Sequence, residues 1–96
     1  MVVRALDHVR QCYSSADGAV INHVLRDAFA QDSKVTLSFD GVVDIPSSFV
    51  NAALVPLLDE VSFDWLKSHL AVVDANRQIA DMVRRCLGNA SRTNAA

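Results

Sequence analysis

Two adjacent hydroxyls at Ser47-Ser48, two nearby carboxylates at Asp40 and Asp44, three histidines and two cysteines are the side chains here with the means for chemistry. Asp40 and Asp44 flank a turn, and a carboxylate pair can divide general-acid from general-base work. Both also have structural employment, because Asp before Gly41 is turn chemistry and Asp near a helix start is capping chemistry. His8, His23 and His69 are scattered without the clustered spacing of a zinc site. Cys12 and Cys86 belong to no CxxC or Cys/His cluster and read as two free, buried thiols. G-x-S-x-G, GxGxxG and G-x-x-x-x-G-K-[ST] are all absent. With this little functional chemistry, neither an enzyme nor a metal or other cofactor is expected.

The Ser pair is positioned by the stretch from Lys34 to Leu58. Val35, Leu37 and Phe39 alternate with Thr36, Ser38 and Asp40 at the two-residue period of a strand. Phe49, Val50, Ala53, Leu54, Leu57 and Leu58 then recur at the spacing of one helical face. Ser47-Ser48 sits where the period changes, so a strand feeds a polar corner and the corner feeds a helix. Local chemistry gives Ser47 an N-cap role, its hydroxyl accepting the amide of Phe49 or Val50, worth about 1 kcal/mol.

The flanks complete an alternating pattern. Residues 2–13 fit either a helix or a short strand. Ser14 and Ser15 can cap a first helix, with Asp17 in its first turn and three doubled apolar steps (Val20/Ile21, Val24/Leu25, Ala28/Phe29) forming a broad buried stripe. Pro56 should end the second helix near Val55 or kink it. Residues 62–67 suit a short helix, and Leu70-Ala71-Val72-Val73 suits a strand buried on both faces. Asp74 or Asn76 can cap a last helix over Ile79, Met82, Val83, Cys86 and Leu87, which Gly88 should terminate. Alternation of strands and helices argues for an α/β layered fold with a right-handed crossover.

At 96 residues and 51% apolar composition the chain reads as one globular domain with a stability of roughly 5–10 kcal/mol. A formal charge of −2 gives no electrostatic reason to expect nucleic acid or an anionic membrane. No apolar run reaches the length of a membrane span, and the first residues lack a signal-peptide pattern, so a cytoplasmic location is expected.

Most of the chain resembles the STAS family (the sulphate transporter and anti-sigma factor antagonist domain), and within it the small STAS-like branch of unknown function. The resemblance is carried by Cys12-Tyr13-Ser14-Ser15-Ala16-Asp17-Gly18, by Val35 through Val42 with its Asp40-Gly41-Val42, by Ser47-Ser48-Phe49-Val50-Asn51-Ala52-Ala53, by the apolar strand near Val72, and by Arg84-Arg85-Cys86-Leu87. The STAS-like domain is expected over residues 1–90, and the small, polar residues at the end of the chain are expected to form a disordered tail over 91–96. The expected architecture is a mixed sheet of four to five strands with three to four helices mainly on one face. The resemblance also implies protein binding without catalysis. In the anti-sigma antagonists the corner reads Asp-Ser-Ser-Gly, and its first Ser is phosphorylated by a histidine-kinase-like ATPase, which ends binding. That serine corresponds to Ser47, with Asp40, Asp44, Ser48, Phe49 and Asn51 as the accompanying partner-binding residues. Pro46 and Phe49 depart from the family's Asp and Gly. Two other readings stay open. One is an anion- or nucleotide-sensing module using helix starts at Ser15, Ser47 and Asn76 with Lys34 and Lys67. The other is a structural homodimer burying Val50, Leu54 and Leu58.

Overall fold

The computed structural model of the chain describes residues 1–94, with side chains through Ser91. Strand β1 (Val2–Arg4) leads through a 3-10 turn (Ala5–Asp7) to helix α1 (Ser15–Gln31), strand β2 (Val35–Ser38) and helix α2 (Ser47–Ala53). A second 3-10 turn (Val55–Asp59), helix α3 (Phe63–His69), strand β3 (Leu70–Val73) and helix α4 (Arg77–Asn94) follow. The ambiguous N-terminus is thus a strand. Pro56 falls in the first turn of a 3-10 segment after α2 has ended, where its missing donor costs no helical hydrogen bond.

The sheet has the order β1-β2-β3 and both pairings are parallel. Helical crossovers join successive strands, and a crossover returns the chain in the same direction. The described residues therefore hold three parallel strands, not the expected mixed sheet of four to five. Val3 pairs in register with Leu37, and Leu37 with Val72. The side chains of this row face the helices, as do those of Val35 and Leu70. The alternate row turns away: Val2 is 71% and Val73 38% exposed. β3 is accordingly not buried on both faces, because all four helices lie on one side of the sheet.

Beneath the helices lies one core that includes Ile21, Leu25, Leu37, Phe39, Ile45, Phe49, Val50, Leu54, Leu66 and Ile79. Of the residues expected at a dimer seam, Val50 and Leu54 are fully buried within the chain and belong to this core, while Leu58 is half-buried. The Phe39 and Phe49 rings meet edge to face at 6.3 Å. Helices α1 and α2 approach so closely at Gly18 that a Cβ there would stand 2.5 Å from the Phe49 carbonyl oxygen and 2.8 Å from the Ala52 Cβ. Ser14 caps α1 through a reciprocal pair: its hydroxyl accepts from the Asp17 amide at 3.1 Å, and the Asp17 carboxylate accepts from the Ser14 amide at 3.1 Å. Helix α4 does not stop at Gly88 but continues to Asn94, which also carries helix into the segment expected to be a tail. The expected disorder of Ala95-Ala96 lies outside the described residues. No helix among those described is long and apolar enough to cross a membrane.

Candidate functional site: the corner between β2 and α2

Strand β2 ends in a turn that closes with the Val42 amide donating to the Phe39 carbonyl at 2.9 Å. Gly41 takes φ 85°, the left-handed value a type II turn requires at its third residue. Beneath the turn, the Ser38 hydroxyl donates to the Asp74 carboxylate at 2.7 Å and accepts from the Asp40 amide at 3.2 Å, joining the carboxyl ends of β2 and β3. Asp40 accepts from Arg4 Nε at 3.3 Å, and Arg4 also holds Asp7 at 2.9 Å. This explains why Arg4 stays charged still more firmly than a free guanidinium: first the Asp7 bond, then the Asp40 bond, favours its cation.

Asp40 is therefore the anchor of a turn and a surface ion pair. Asp44 is exposed and lies beside a small separate hollow lined by Leu6, Arg10, Cys12 and Tyr13. Each carboxylate thus has its own setting, Asp40 on Arg4 and Asp44 at the neighbouring hollow. Nor does the strand order reverse anywhere among the described strands, so the sheet opens no switch-point crevice of the kind that holds ligands in open α/β folds.

The loop from Val43 to Pro46 is held from α4. The Gln78 side-chain amide donates to the Ile45 carbonyl at 2.9 Å and accepts from the Ile45 amide at 3.0 Å. Asn76 donates to the Val43 carbonyl, while its own side-chain oxygen accepts the Ile79 amide at 3.0 Å at the start of α4. Ile45 itself is 2% exposed, so this backbone is fixed on both its polar and its apolar side.

The corner itself corrects the expected cap. Pro46 occupies the N-cap position with φ −85° and ψ 165°, and no side chain caps α2. Ser47 is the first helical residue, so the Phe49 amide donates to the Pro46 carbonyl at 3.2 Å, not to a serine hydroxyl. The Ser47 hydroxyl is exposed and makes no hydrogen bond among the described residues. Ser47 and Asn51, one turn apart on α2, face Met82, Arg85, Cys86 and Asn89 of α4 across a hollow of about 370 Å³. Ser48 is exposed beside it. Phe49, expected at the partner-binding surface, is 0% exposed: its ring is core, and the helical spacing of residues 49–58 had already put it on the buried stripe.

Sequence reasoning thus missed Gln78, Arg85 and Asn89. Together with Met82 they stand at positions 78, 82, 85 and 89, the spacing of a single helical face, and that was the available signal. Cys86, on the same wall, is buried with its thiol pushed upward by burial in spite of the Arg85 cation. Cys12 is buried as well, and burial together with the Asp17 charge pushes its thiol up to about 11. Both cysteines are free. Among the described residues no three His, Cys, Asp or Glu side chains converge on a metal position.

Neither a curated protein nor a solved structure matches the chain. A family model does, over residues 19–80, which takes in α1 from its second turn, the turn at Asp40-Gly41, the Ser47 corner, α3 and β3. It describes a STAS-like domain of unknown function (DUF4325), and since it spans well over half of the sequence, the chain belongs to that family.

Proposed function

We propose that this domain is a non-catalytic interaction module that docks a regulatory protein at the β2–α2 corner, with Ser47 as a phosphorylation switch. The observation that carries this reading is the free hydroxyl of Ser47, displayed on a helix whose approach loop is pinned at Ile45 by Gln78. A capping serine would be committed to its own backbone; this one is not. Exposed Ser48 and Asn51 flank it and, with Arg85, complete a polar docking surface. The nature of the partner follows the family resemblance: an ATPase of the histidine-kinase-like class, acting in the cytoplasm.

A phosphate on Ser47 would add about −1.5 to −2 charges beside the first amides of α2 and across the hollow from Arg85. Both features favour the anion, so the domain stays folded and the switch acts on docking. The test searches the reading frames beside its gene for a histidine-kinase-like ATPase and combines that protein with the chain and ATP; finding no such ATPase counts against the switch. Mass spectrometry should find one phosphate on Ser47 and none on Ser47→Ala, and Ser47→Asp should keep its melting temperature while losing the ATPase in calorimetry. An unmodified Ser47, or a Ser47→Asp variant that melts well below the parent, refutes the proposal.

A further inference from the structure

Beyond the corner, on the opposite flank of α4, the free edge of β3 runs along a second hollow of about 550 Å³. Its floor is Leu70 and Val72, one wall is Phe63, Leu66 and Lys67 of α3, and the other is Val83, Arg84 and Leu87 of α4. The Phe39 amide donates to the Val73 carbonyl at 3.1 Å, so Val73 and Ala71 direct their backbone groups toward β2. By the two-residue period the Val72 amide and carbonyl and the Leu70 carbonyl point outward, along the hollow.

An edge of this kind is normally guarded by a lysine, a proline or a bulge within the strand. Leu70-Ala71-Val72-Val73 has none of these, and no strand pairs with its outer side among the described residues. Backbone groups beside an apolar trough are what a strand-adding peptide uses: its main chain extends the sheet and its alternate side chains fill the trough. The charges choose the occupant. Lys67 lies over the Phe63 ring at 5.5 Å; among the described residues it has no carboxylate partner and Arg84 reaches only Asp81, at 3.7 Å on the surface of its own helix. The one acid lining the hollow, Asp74, is engaged by Ser38. A second copy paired through β3 would crowd two Lys67 and two Arg84 side chains along one seam, which argues against self-association.

We infer that the β3 edge is a docking site for an extended segment of a partner protein, apolar at alternate positions and carrying carboxylates that meet Lys67 and Arg84. This surface stands independently of the Ser47 reading, because the two hollows lie on different faces of α4.

The probe is a synthetic peptide, acetyl-Glu-Thr-Val-Thr-Ile-Thr-Glu-amide, whose Val and Ile and terminal carboxylates share the face that meets the trough, titrated into the full chain and followed by amide NMR. It should shift Leu70, Val72, Val83 and Leu87, slow exchange of the Val72 amide, and leave Ser47 and Asn51 unmoved. The exposed double variant Lys67→Glu/Arg84→Glu should fold normally and bind about tenfold more weakly. N-methylation of the peptide at alternate residues should abolish binding in one register and spare it in the other. The proposal is overturned if the peptide does not bind, if it binds without regard to N-methyl register, or if the same shifts appear on concentrating the protein alone as a dimer forms.

Discussion

Two glycines lie in long helices of this domain, and replacing each by alanine should move stability in opposite directions. Alanine in a helix interior is favoured over glycine by about 0.5–1 kcal/mol, because it restricts the unfolded chain. At Gly88 a Cβ would meet nothing within 4 Å, so Gly88→Ala should realise that gain. At Gly18 the new Cβ would stand 2.5 Å from the Phe49 carbonyl oxygen, 2.8 Å from the Ala52 Cβ and 3.1 Å from the Ala53 nitrogen. Ordinary carbon–oxygen contact is near 3.3–3.6 Å, so α1 and α2 would have to part by about 1 Å. Two of the three obstacles are backbone and have no rotamer to yield. A gap of that size forfeits a quarter to a half of each dispersion contact across the seam. Overpacking of this sort costs about 1–3 kcal/mol, which exceeds the propensity gain. Gly18→Ala should therefore be about 1–2 kcal/mol less stable than the parent, with its melting temperature lowered by about 4–15 °C. Gly88→Ala should melt a few degrees higher. Adding Ala52→Gly to Gly18→Ala should recover only part of the loss, since the Phe49 carbonyl remains. Thermal unfolding by circular dichroism reads all three, and a Gly18→Ala protein as stable as the parent would refute the close approach of α1 and α2.

Gln78→Ala removes two hydrogen bonds to the Ile45 backbone and should cost about 1–2 kcal/mol, with faster hydrogen exchange at the Ile45 amide; unchanged exchange there would dismiss the clamp. Asp17 is held below the ordinary carboxylate range by the Ser14 amide and then the Tyr13 amide. Because its folded value is the lower one, its contribution is complete above the unfolded value of about 3.9 and is lost as pH falls through the folded value. Asp17→Asn should thus lower stability at neutral pH and converge with the parent as acid protonates the folded carboxylate; a gap that persists at the acid end would exclude the linkage. Cys12, buried and with its thiol near 11, should react with a disulfide reagent only on unfolding, and prompt modification of the native protein would contradict its burial.

What was legible in the sequence was local. The doubled apolar steps of α1, the hydroxyl and carboxylate at Ser14 and Asp17, the turn at Asp40-Gly41 and the short α3 each follow from side chains within a few residues of one another. The misses came where distant groups decide. Leu70-Ala71-Val72-Val73 carries no polar alternation, so nothing within it announces that one face and one edge are left open. Gly88 has the chemistry of a terminator, but Asn89, Ala90 and Ser91 can continue a helix, and the packed faces at Val83, Cys86 and Leu87 outweigh the roughly 1 kcal/mol glycine penalty. At the corner the boundary slipped by a single residue: Pro46, with its φ already suited to the N-cap, took the position that would have committed the Ser47 hydroxyl. A one-residue shift left the buried side of α2 unchanged and altered only what its first residue is free to do.

The same distant contacts explain how so short a helix can present anything reliably. A helix of seven residues has no stability of its own in water, so the geometry of α2 is imposed from outside. Its far end is held where Asn22 donates to the Ala53 carbonyl at 3.0 Å, with Asn22 in turn braced by Arg26 at 2.9 Å and Arg26 paired to Glu60. Its buried side is fixed by Phe49 and Val50, and its approach by Ile45 and Gln78. Every constraint falls on backbone or on apolar side chains, and none falls on Ser47, Ser48 or Asn51. A partner meeting these three groups would find the backbone that carries them already ordered and, among the described residues, no internal side-chain bonds to break, which lowers the entropic cost of docking. An extra anion at Ser47 would change what the partner meets without disturbing what holds the helix in place.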